Sequence, residues 1–303
     1  MKRRSFLRTG CLAGLTTSGV FAAPVVRAIE PIERPAPSHL RISLAAYSLR
    51  KYLQPAGGQA AEMDLFEFVD FCHEHGLSGA ELTSYYFPDN VDDAYLLKLK
   101  RHCHLRGVSI SGGAIRNDFT QVDPLAVARD LAHTRQWIGH YAKLGAPAIR
   151  IFAGQPIAGE ETSRTLARCA QICQLACHDA AAQGVTLALE NHGGVTARAE
   201  GLLEIVRQVQ SPAFGVNFDS GNFNAGDDPY RELEMIAPYA VNAQVKVEVR
   251  VGGVAQPTDL ERVLQILRQA NYSGWVALEY EAKQDPLEVI PSYLKQLKDL
   301  ADG

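Results

Sequence analysis

The 303-residue sequence predicts a (β/α)8 barrel, in which eight parallel strands alternate with eight helices. Three observations support this fold class: short apolar runs, an amphipathic segment after each run, and polar caps, prolines or glycines at the segment ends. The predicted barrel domain, residues 40–303, has the usual length of such a fold. A doubly wound open sheet is the alternative, but "AAYSLRKYL" at 45–53 lacks the glycine-rich turn that usually follows its first strand.

The strands are predicted from runs of six to nine mostly aliphatic residues, and the helices from apolar residues at helical spacing. The predicted strands are residues 41–49, 79–84, 108–114, 148–153, 185–190, 214–219, 241–248 and 275–280. The predicted helices are residues 63–75, 93–106, 124–144, 160–183, 198–209, 229–237, 258–270 and 286–300. The regular alternation of the two sets favours a parallel sheet whose crossovers are helices.

Helix ends carry recognisable signals in this sequence. A capping aspartate precedes a proline at the first helical position in Asp123-Pro124, and the same pair recurs before the sixth and eighth helices. Thr258 is the expected cap of the seventh helix. Glycines are expected to end four of the earlier helices, namely Gly76, Gly107, Gly145 and Gly184. These signals fix where most helices should begin or end.

Residues 1–28 are predicted to be an export signal outside the fold. "MKRRSFLRTG" places the pair Arg3-Arg4 before an apolar stretch too short to span a bilayer, with small residues suited to cleavage. The pattern is similar to a twin-arginine signal, which implies the Tat export machinery as a partner and a periplasmic location; a basic, disordered terminus is the alternative. Residues 29–39 are proline-rich and predicted to be a linker. Since no other window resembles a membrane helix, no stable membrane insertion is expected.

Charge and cysteine usage narrow the function classes. The formal net charge of −4 gives no basic field, so no nucleic-acid partner is expected. Five cysteines follow the signal, and their odd number and spacing do not suggest a disulfide framework. Cys169, Cys173 and Cys177 recur every four residues, which places them on one helix face. Buried packing is the favoured role, and a metal or redox role is the alternative.

Polar residues end the last four predicted strands. Glu190 ends the fifth, Asp219 the sixth, and Glu279 lies late in the eighth. On the seventh, alternate residues share one face: Gln244, Lys246 and Glu248. Because the strand ends of a (β/α)8 barrel converge on one active site, we expect these side chains to lie close together.

Three carboxylates held this closely would repel one another, and a divalent cation would resolve the repulsion. Oxygen ligands favour one ion, Mn²⁺ first, with Mg²⁺, Co²⁺ or Zn²⁺ as further candidates. Ion pairs with Lys246 or Arg150 are the alternative source of positive charge.

These residues resemble the xylose-isomerase-like TIM-barrel family, described broadly as sugar phosphate isomerases and epimerases. The segments "ENHGG", "FDSGN", "AQVKVE" and "LEYE" match positions at which ketose 3-epimerases of that family bind one divalent metal. The resemblance implies the ligands Glu190, Asp219, Gln244 and Glu279. It also shows two departures, because Gln244 replaces a histidine and Asn222 lies where a substrate-contacting histidine is frequent.

The same resemblance implies proton abstraction beside a carbonyl of a sugar or keto-sugar, and the predicted export signal favours an unphosphorylated one. Glu190 and Glu279 would act as acid and base, the metal would chelate substrate oxygens, and Lys246 would stabilise the developing oxyanion. Substrate contacts are expected from further residues near strand ends, namely Glu81, Asn117, Gln155, His192 and Asn222.

Other functions stay open at this point. A keto-sugar lyase or dehydratase would use the same metal and base, and a non-catalytic sugar-binding barrel would bind without turnover. A DNA-repair endonuclease on this barrel needs histidines at strand ends, whereas histidines such as His73 and His102 fall in predicted helices. Relatives often form dimers or tetramers, so a homo-oligomer is also an expectation.

Overall fold

The computed structural model describes residues 30–55, 57–58, 60–224 and 228–302. Within these ranges, eight parallel strands close into a barrel in which each strand pairs with its neighbours in chain order and the first pairs with the last. The strands are β1 (Leu40–Ala45), β2 (Gly79–Thr83), β3 (Ser109–Ala114), β4 (Ala148–Ile151), β5 (Thr186–Glu190), β6 (Phe214–Asp219), β7 (Ala240–Val245) and β8 (Gly274–Leu278). The predicted (β/α)8 barrel is confirmed, while the predicted export signal at 1–28 lies outside the described residues.

A helix follows each barrel strand and covers the outside of the barrel. The helices are α1 (Leu65–Glu74), α2 (Asp93–Leu105), α3 (Pro124–Leu144), α4 (Thr162–Ala182), α5 (Ala199–Gln208), α6 (Pro229–Ile236), α7 (Leu260–Gln269) and α8 (Pro286–Asp302). Shorter helical turns lie at Ala46–Leu49, Arg50–Leu53, Ser84–Tyr86, Gly194–Thr196 and Ala237–Tyr239. In the part of the chain that is described, no helix combines the length and apolar character needed to cross a membrane.

Most of the predicted helix ends have the expected cap. The Asp123 carboxylate accepts hydrogen bonds from Leu125 N and Ala126 N at the start of α3, and Gly145 ends α3 in the left-handed conformation with φ 88°. The predicted cap of α7 was one residue early. Asp259, not Thr258, accepts the hydrogen bond from the first turn, because a carboxylate competes well for this position.

The seventh predicted strand, 241–248, was too long. Strand β7 ends at Val245, and the chain then forms an antiparallel hairpin from Glu248–Val251 and Val254–Pro257. Gly252 and Gly253 join its strands with φ values of 56° and 81°, which tight hairpin turns require. Glu248 is therefore exposed outside the barrel, and the prediction that it shares the inner face with Gln244 and Lys246 is wrong.

The described part of the predicted linker packs against the barrel. Ile32 N donates a hydrogen bond to Pro238 O at 3.0 Å, just before β7. The Arg34 guanidinium donates to Ala240 O at 2.5 Å and lies 5.4 Å from the Tyr272 ring centre. Residues 30–39 thus line the amino-terminal end of the barrel, opposite the end at which the strands' carboxyl termini meet.

The cysteines behave as packing residues. All five cysteines within the described ranges are free and buried, including three along α4: Cys169, Cys173 and Cys177. Burial raises the pKa of Cys177 to about 12, so its thiol stays protonated. The prediction that these thiols fill the core is confirmed.

Candidate active site

A cavity of about 250 Å³ opens at the carboxyl ends of the strands. Its lining residues are Tyr47, Tyr85, Arg116, Arg150, Phe152, Glu190, His192, Asn222, Lys246, Glu279 and Glu281. A larger cavity of about 450 Å³ lies between the segments that follow β1 and β8, where Lys51 and Asp285 form an ion pair with each other. The smaller cavity is the candidate site, because it collects buried charged groups from several strands.

The segment "ENH" fixes the ends of β5 and β6 relative to each other. The Asn191 amide accepts a hydrogen bond from Asp219 N at 3.0 Å and donates one to Asp219 O at 2.9 Å. The Thr196 hydroxyl donates to Glu190 O at 3.0 Å and accepts from His192 N at 3.1 Å. These bonds fix the backbone at the ends of β5 and β6, from which the side chains of Glu190 and Asp219 extend.

Glu190 is buried at the cavity wall and is only 2% exposed. Its carboxyl group forms an ion pair with Arg150 Nε at 3.0 Å, and its second oxygen accepts a hydrogen bond from Asn222 Nδ2 at 2.9 Å. Burial raises the pKa of Glu190 to about 8, because it outweighs the opposing effect of Arg150. A carboxyl group with this pKa can both take up and release a proton near neutral pH.

Lys246 connects the ends of β6, β7 and β8. Its Nζ lies 2.9 Å from Asn222 Oδ1, 3.0 Å from Glu281 Oε1, 3.3 Å from Asp219 Oδ2 and 3.9 Å from Glu279 Oε1. Burial works to lower the pKa of Lys246, but the surrounding carboxylates outweigh it and raise that pKa above its usual value. The side chain is therefore a charged ammonium group inside the cavity.

Two further glutamates flank Lys246 and differ in protonation. Burial raises the pKa of Glu279 well above its ordinary value, despite the nearby ammonium group. For Glu281 at the rim, the attraction of Lys246 and hydrogen bonding outweigh burial and lower the pKa. Pairs of acids with pKa values pushed apart in this way are typical of proton-transfer sites.

A second polar cluster, here called the interior amide layer, consists of Glu81, Asn217, Asn242 and Gln244 inside the barrel. Glu81 accepts hydrogen bonds from Asn242 Nδ2 at 2.7 Å and Gln244 Nε2 at 2.5 Å. Asn217 Nδ2 donates to Gln244 Oε1 at 2.5 Å, and Asn242 donates to Asn217 Oδ1 at 2.8 Å. All four side chains are at most 2% exposed. Glu81 and Gln244 therefore bond within the barrel and are not among the cavity-lining residues.

Two other predicted substrate contacts have different positions. The Asn117 amide donates to Phe152 O at 2.7 Å and accepts from Phe152 N at 2.9 Å, so it fastens the end of β4. Gln155 is exposed and does not line the cavity. Of the five predicted substrate-binding residues, His192 and Asn222 are the ones that reach the cavity. The structure thus gives Asn117 a positioning role that its place after a strand could not reveal.

The sequence interpretation also missed cavity residues. Glu281 lies two residues after Glu279 in "LEYE", a spacing typical of side chains on one face, and could have been found from it. Tyr47 follows β1, and Phe152 follows β4 and contacts the His192 ring at a centroid distance of 4.5 Å. Neither aromatic residue carries a sequence signal that separates a cavity wall from ordinary packing.

The fold is thus a (β/α)8 barrel whose later strands carry acidic and cationic side chains at their carboxyl ends, where enzymes of this fold have their active sites. Residues 69–300 match the family model described as "Xylose isomerase-like TIM barrel", which spans more than half of the chain. The chain belongs to this family.

Several solved structures share the fold of this chain. The chain is similar to a D-allulose 3-epimerase from Methylomonas sp., with a TM-score of 0.70, 14% identity, and coverage of 88% of this chain and 100% of the other. It is also similar to the 3-keto-D-glucoside 4-epimerase of E. coli, with a TM-score of 0.68, 12% identity, and coverage of 86% and 99%. A third similar structure is a xylose isomerase domain protein from Planctomyces limnophilus, with a TM-score of 0.64, 18% identity, and coverage of 88% of this chain and 98% of the other. No curated protein matches in sequence.

The contacts also test the ligand set that the resemblance implies. Both ends of the Gln244 amide are bonded in the interior amide layer. Glu190 Oε2 and Asp219 Oδ2 accept no hydrogen bond, but each faces a cation, Arg150 at 3.0 Å and Lys246 at 3.3 Å. Among the described residues, no three His, Cys, Asp or Glu side chains are grouped to hold an ion. The residues as arranged therefore do not fit the predicted four-ligand site for Mn²⁺ or a similar ion.

Proposed function

We propose that this protein is a sugar isomerase or epimerase that moves a proton on a carbon beside a carbonyl group. The observation that carries the proposal is the meeting of two buried carboxyl groups, Glu190 and Glu279, with two buried cations in one cavity. Such a proton transfer needs a base, an acid, and positive charge near the oxygen that becomes an enolate. Arg150 and Lys246 supply the charge.

The chemistry follows from these roles. One glutamate, as carboxylate, removes the proton from carbon, and the electron pair of the C–H bond forms a C=C bond while the carbonyl oxygen becomes an oxyanion. Lys246 donates a hydrogen bond to that oxygen, which lowers the cost of the charge. The other glutamate, as carboxylic acid, returns a proton either to the opposite face of the same carbon or to the neighbouring carbon. In the second case the hydroxyl group on the first carbon gives up its proton and becomes the new carbonyl group, while the former carbonyl oxygen takes up a proton and becomes a hydroxyl group. The first outcome is epimerisation and the second is isomerisation.

Asn222 and Arg150 hold these groups in place. The Asn222 amide bridges the site, since its oxygen accepts from Lys246 and its nitrogen donates to Glu190. Arg150 keeps its own orientation through a hydrogen bond from Nη1 to Ile115 O at 2.7 Å. Preorganised donors of this kind stabilise developing charge better than water does.

The named activities of similar structures support keto-sugars as the substrate class, since they include L-ribulose 3-epimerase as well as the two epimerases above. The twin-arginine-type pattern at 1–28 supports export to the periplasm, and an exported enzyme would act on an unphosphorylated sugar. A homo-oligomer remains an expectation from relatives.

The test is hydrogen exchange in heavy water. The purified mature protein is incubated in D₂O with ketohexoses, ketopentoses and 3-keto-glycosides, with EDTA or with MnCl₂. The proposal expects one deuterium on carbon together with an isomer of otherwise equal mass, detected by mass spectrometry and NMR. Glu279→Gln should abolish the exchange, and Glu204→Gln, an exposed residue of α5, is the matched control.

Other products would contradict the proposal. Loss of water or of an aglycone would make the protein a lyase or dehydratase. Saturable sugar binding without exchange would make it a binding barrel. Activity that appears only with Mn²⁺ would leave the proposed reaction in place and would restore the metal dependence that the resemblance implies.

A further inference from the structure

We propose that Lys246 is the resident cation of this site, so that its ammonium group stands among the carboxylates where the resemblance places a divalent metal ion. The wild-type protein then binds no such ion tightly. The proposal concerns cation binding and does not depend on which reaction the site performs.

The first argument is the crowding of oxygens around Lys246. Four side-chain oxygens, from Asn222, Glu281, Asp219 and Glu279, lie within 3.9 Å of Nζ. An ammonium group has three N–H donors and binds oxygens at hydrogen-bond distance, whereas Mn²⁺ or Mg²⁺ needs several oxygens at about 2.0–2.2 Å. An ion placed among these carboxylates would meet a buried positive charge with little water to screen it.

The second argument is that the segment after β6 leaves room for the aliphatic part of the Lys246 side chain and bonds its backbone. A Cβ atom at Gly221 would lie 2.6 Å from Lys246 Cδ and 2.8 Å from its Cβ, so glycine leaves the space that the stem fills. Lys246 N also donates a hydrogen bond to Ser220 Oγ at 2.8 Å. The segment "DSGN" therefore fixes both the backbone and the side chain of Lys246.

The third argument joins the two departures from the family pattern. Asn222, where a histidine is frequent, places its amide oxygen on the ammonium group and its nitrogen on Glu190. Gln244, which the resemblance places among the metal ligands, is bonded to Glu81 and Asn217. Asn222 therefore contacts the ammonium group directly, while both ends of the Gln244 amide are already bonded to other residues.

The experiment measures Mn²⁺ binding by the purified mature protein, by isothermal titration calorimetry and by the EPR signal of free Mn²⁺. Wild type and Lys246→Arg should bind no stoichiometric ion below about 1 mM. Lys246→Ala, which removes the charge and leaves the carboxylates, should gain one site at least ten-fold tighter. Adding Asp219→Asn to Lys246→Ala should abolish that gain.

Two results would overturn the proposal. One is a wild-type protein that binds one Mn²⁺ at micromolar concentration and loses it in Asp219→Asn. The other is a folded Lys246→Ala protein that binds no ion. Circular dichroism and thermal unfolding establish folding, and if Lys246→Ala does not fold, the wild-type and Lys246→Arg titrations decide. Because the readout is ion binding, a protein without sugar turnover would leave this test intact.

Discussion

Two buried polar clusters lie close together in this barrel, and they are built differently. In the interior amide layer, Asn242 and Gln244 donate to both oxygens of Glu81, so the only carboxyl group has a donor on each oxygen. In the cavity cluster, defined as Glu190, Asp219, Lys246 and Glu279 with Arg150, two carboxyl oxygens accept no hydrogen bond and face cations instead. A satisfied network is typical of structure, whereas charged groups with free acceptor atoms beside a cavity are typical of chemistry.

The largest effect expected from this contrast is on turnover. Glu190→Gln keeps the shape of the side chain but removes its ability to exchange a proton, so kcat should fall about 10³-fold. The free energy of unfolding should not fall at neutral pH, since the neutral amide replaces a carboxyl group that burial holds largely in its neutral form. Steady-state kinetics and urea unfolding measure the two quantities. A variant that loses stability but keeps kcat would place Glu190 among the structural groups.

The interior amide layer should respond in the opposite way. Glu81→Ala leaves Gln244 Nε2 without an acceptor and removes one of the two acceptors of Asn242 Nδ2, so the free energy of unfolding should fall by about 3 kcal/mol. The turnover of the molecules that remain folded should stay within a few-fold of wild type, since Glu81 does not line the cavity. Glu204→Ala on the surface of α5 is the control and should lie within about 0.5 kcal/mol of wild type. A loss of kcat without a loss of stability would erase the distinction between the two clusters.

The sequence predicts more of the barrel than of the site. Strand and helix positions follow from local patterns and caps. The convergence of Glu190, Lys246 and Glu279 follows because the carboxyl ends of the strands of a (β/α)8 barrel surround one site. Depth is different. Period-two alternation places Gln244 and Lys246 on the same face, but it does not say that the first bonds inside the barrel while the second enters the cavity.

Side-chain partners across distant strands are similarly hidden. Gln244 bonds Glu81, which is 163 positions away, and only the closed barrel brings them together. Asn117 follows a strand as a substrate-binding residue would, yet it bonds the backbone of the next strand's end. The divalent-metal prediction depended on charge repulsion among acids, and the sequence left open whether an ion or Lys246 and Arg150 would balance it.

A smaller effect should come from displacing the lysine without changing its charge. Gly221→Ala places a methyl group 2.6 Å from Lys246 Cδ, and such overpacking costs about 1–3 kcal/mol. We expect kcat to fall with little change in KM, because the ammonium group moves from the oxyanion position. Gly139→Ala on α3 is the matched control, since the nearest atom would be 3.7 Å away, and it should be neutral or stabilising by up to about 1 kcal/mol.

The finest distinction between the clusters is in the pH dependence of stability. The native protein keeps a proton on Glu190 up to a pKa of about 8, whereas the unfolded chain releases it near 4.5. Because the native state binds more protons between these values, the free energy of unfolding should fall as the pH rises from 4.5 to 8. Glu190→Gln should make that fall shallower without removing it, since burial also raises the pKa values of Glu279 and Glu81. Urea unfolding from pH 5 to 8 measures both slopes, with Glu204→Gln expected to follow wild type. Identical slopes for wild type and Glu190→Gln would mean that Glu190 is ionised throughout this range, with Arg150 and not burial dominating its environment.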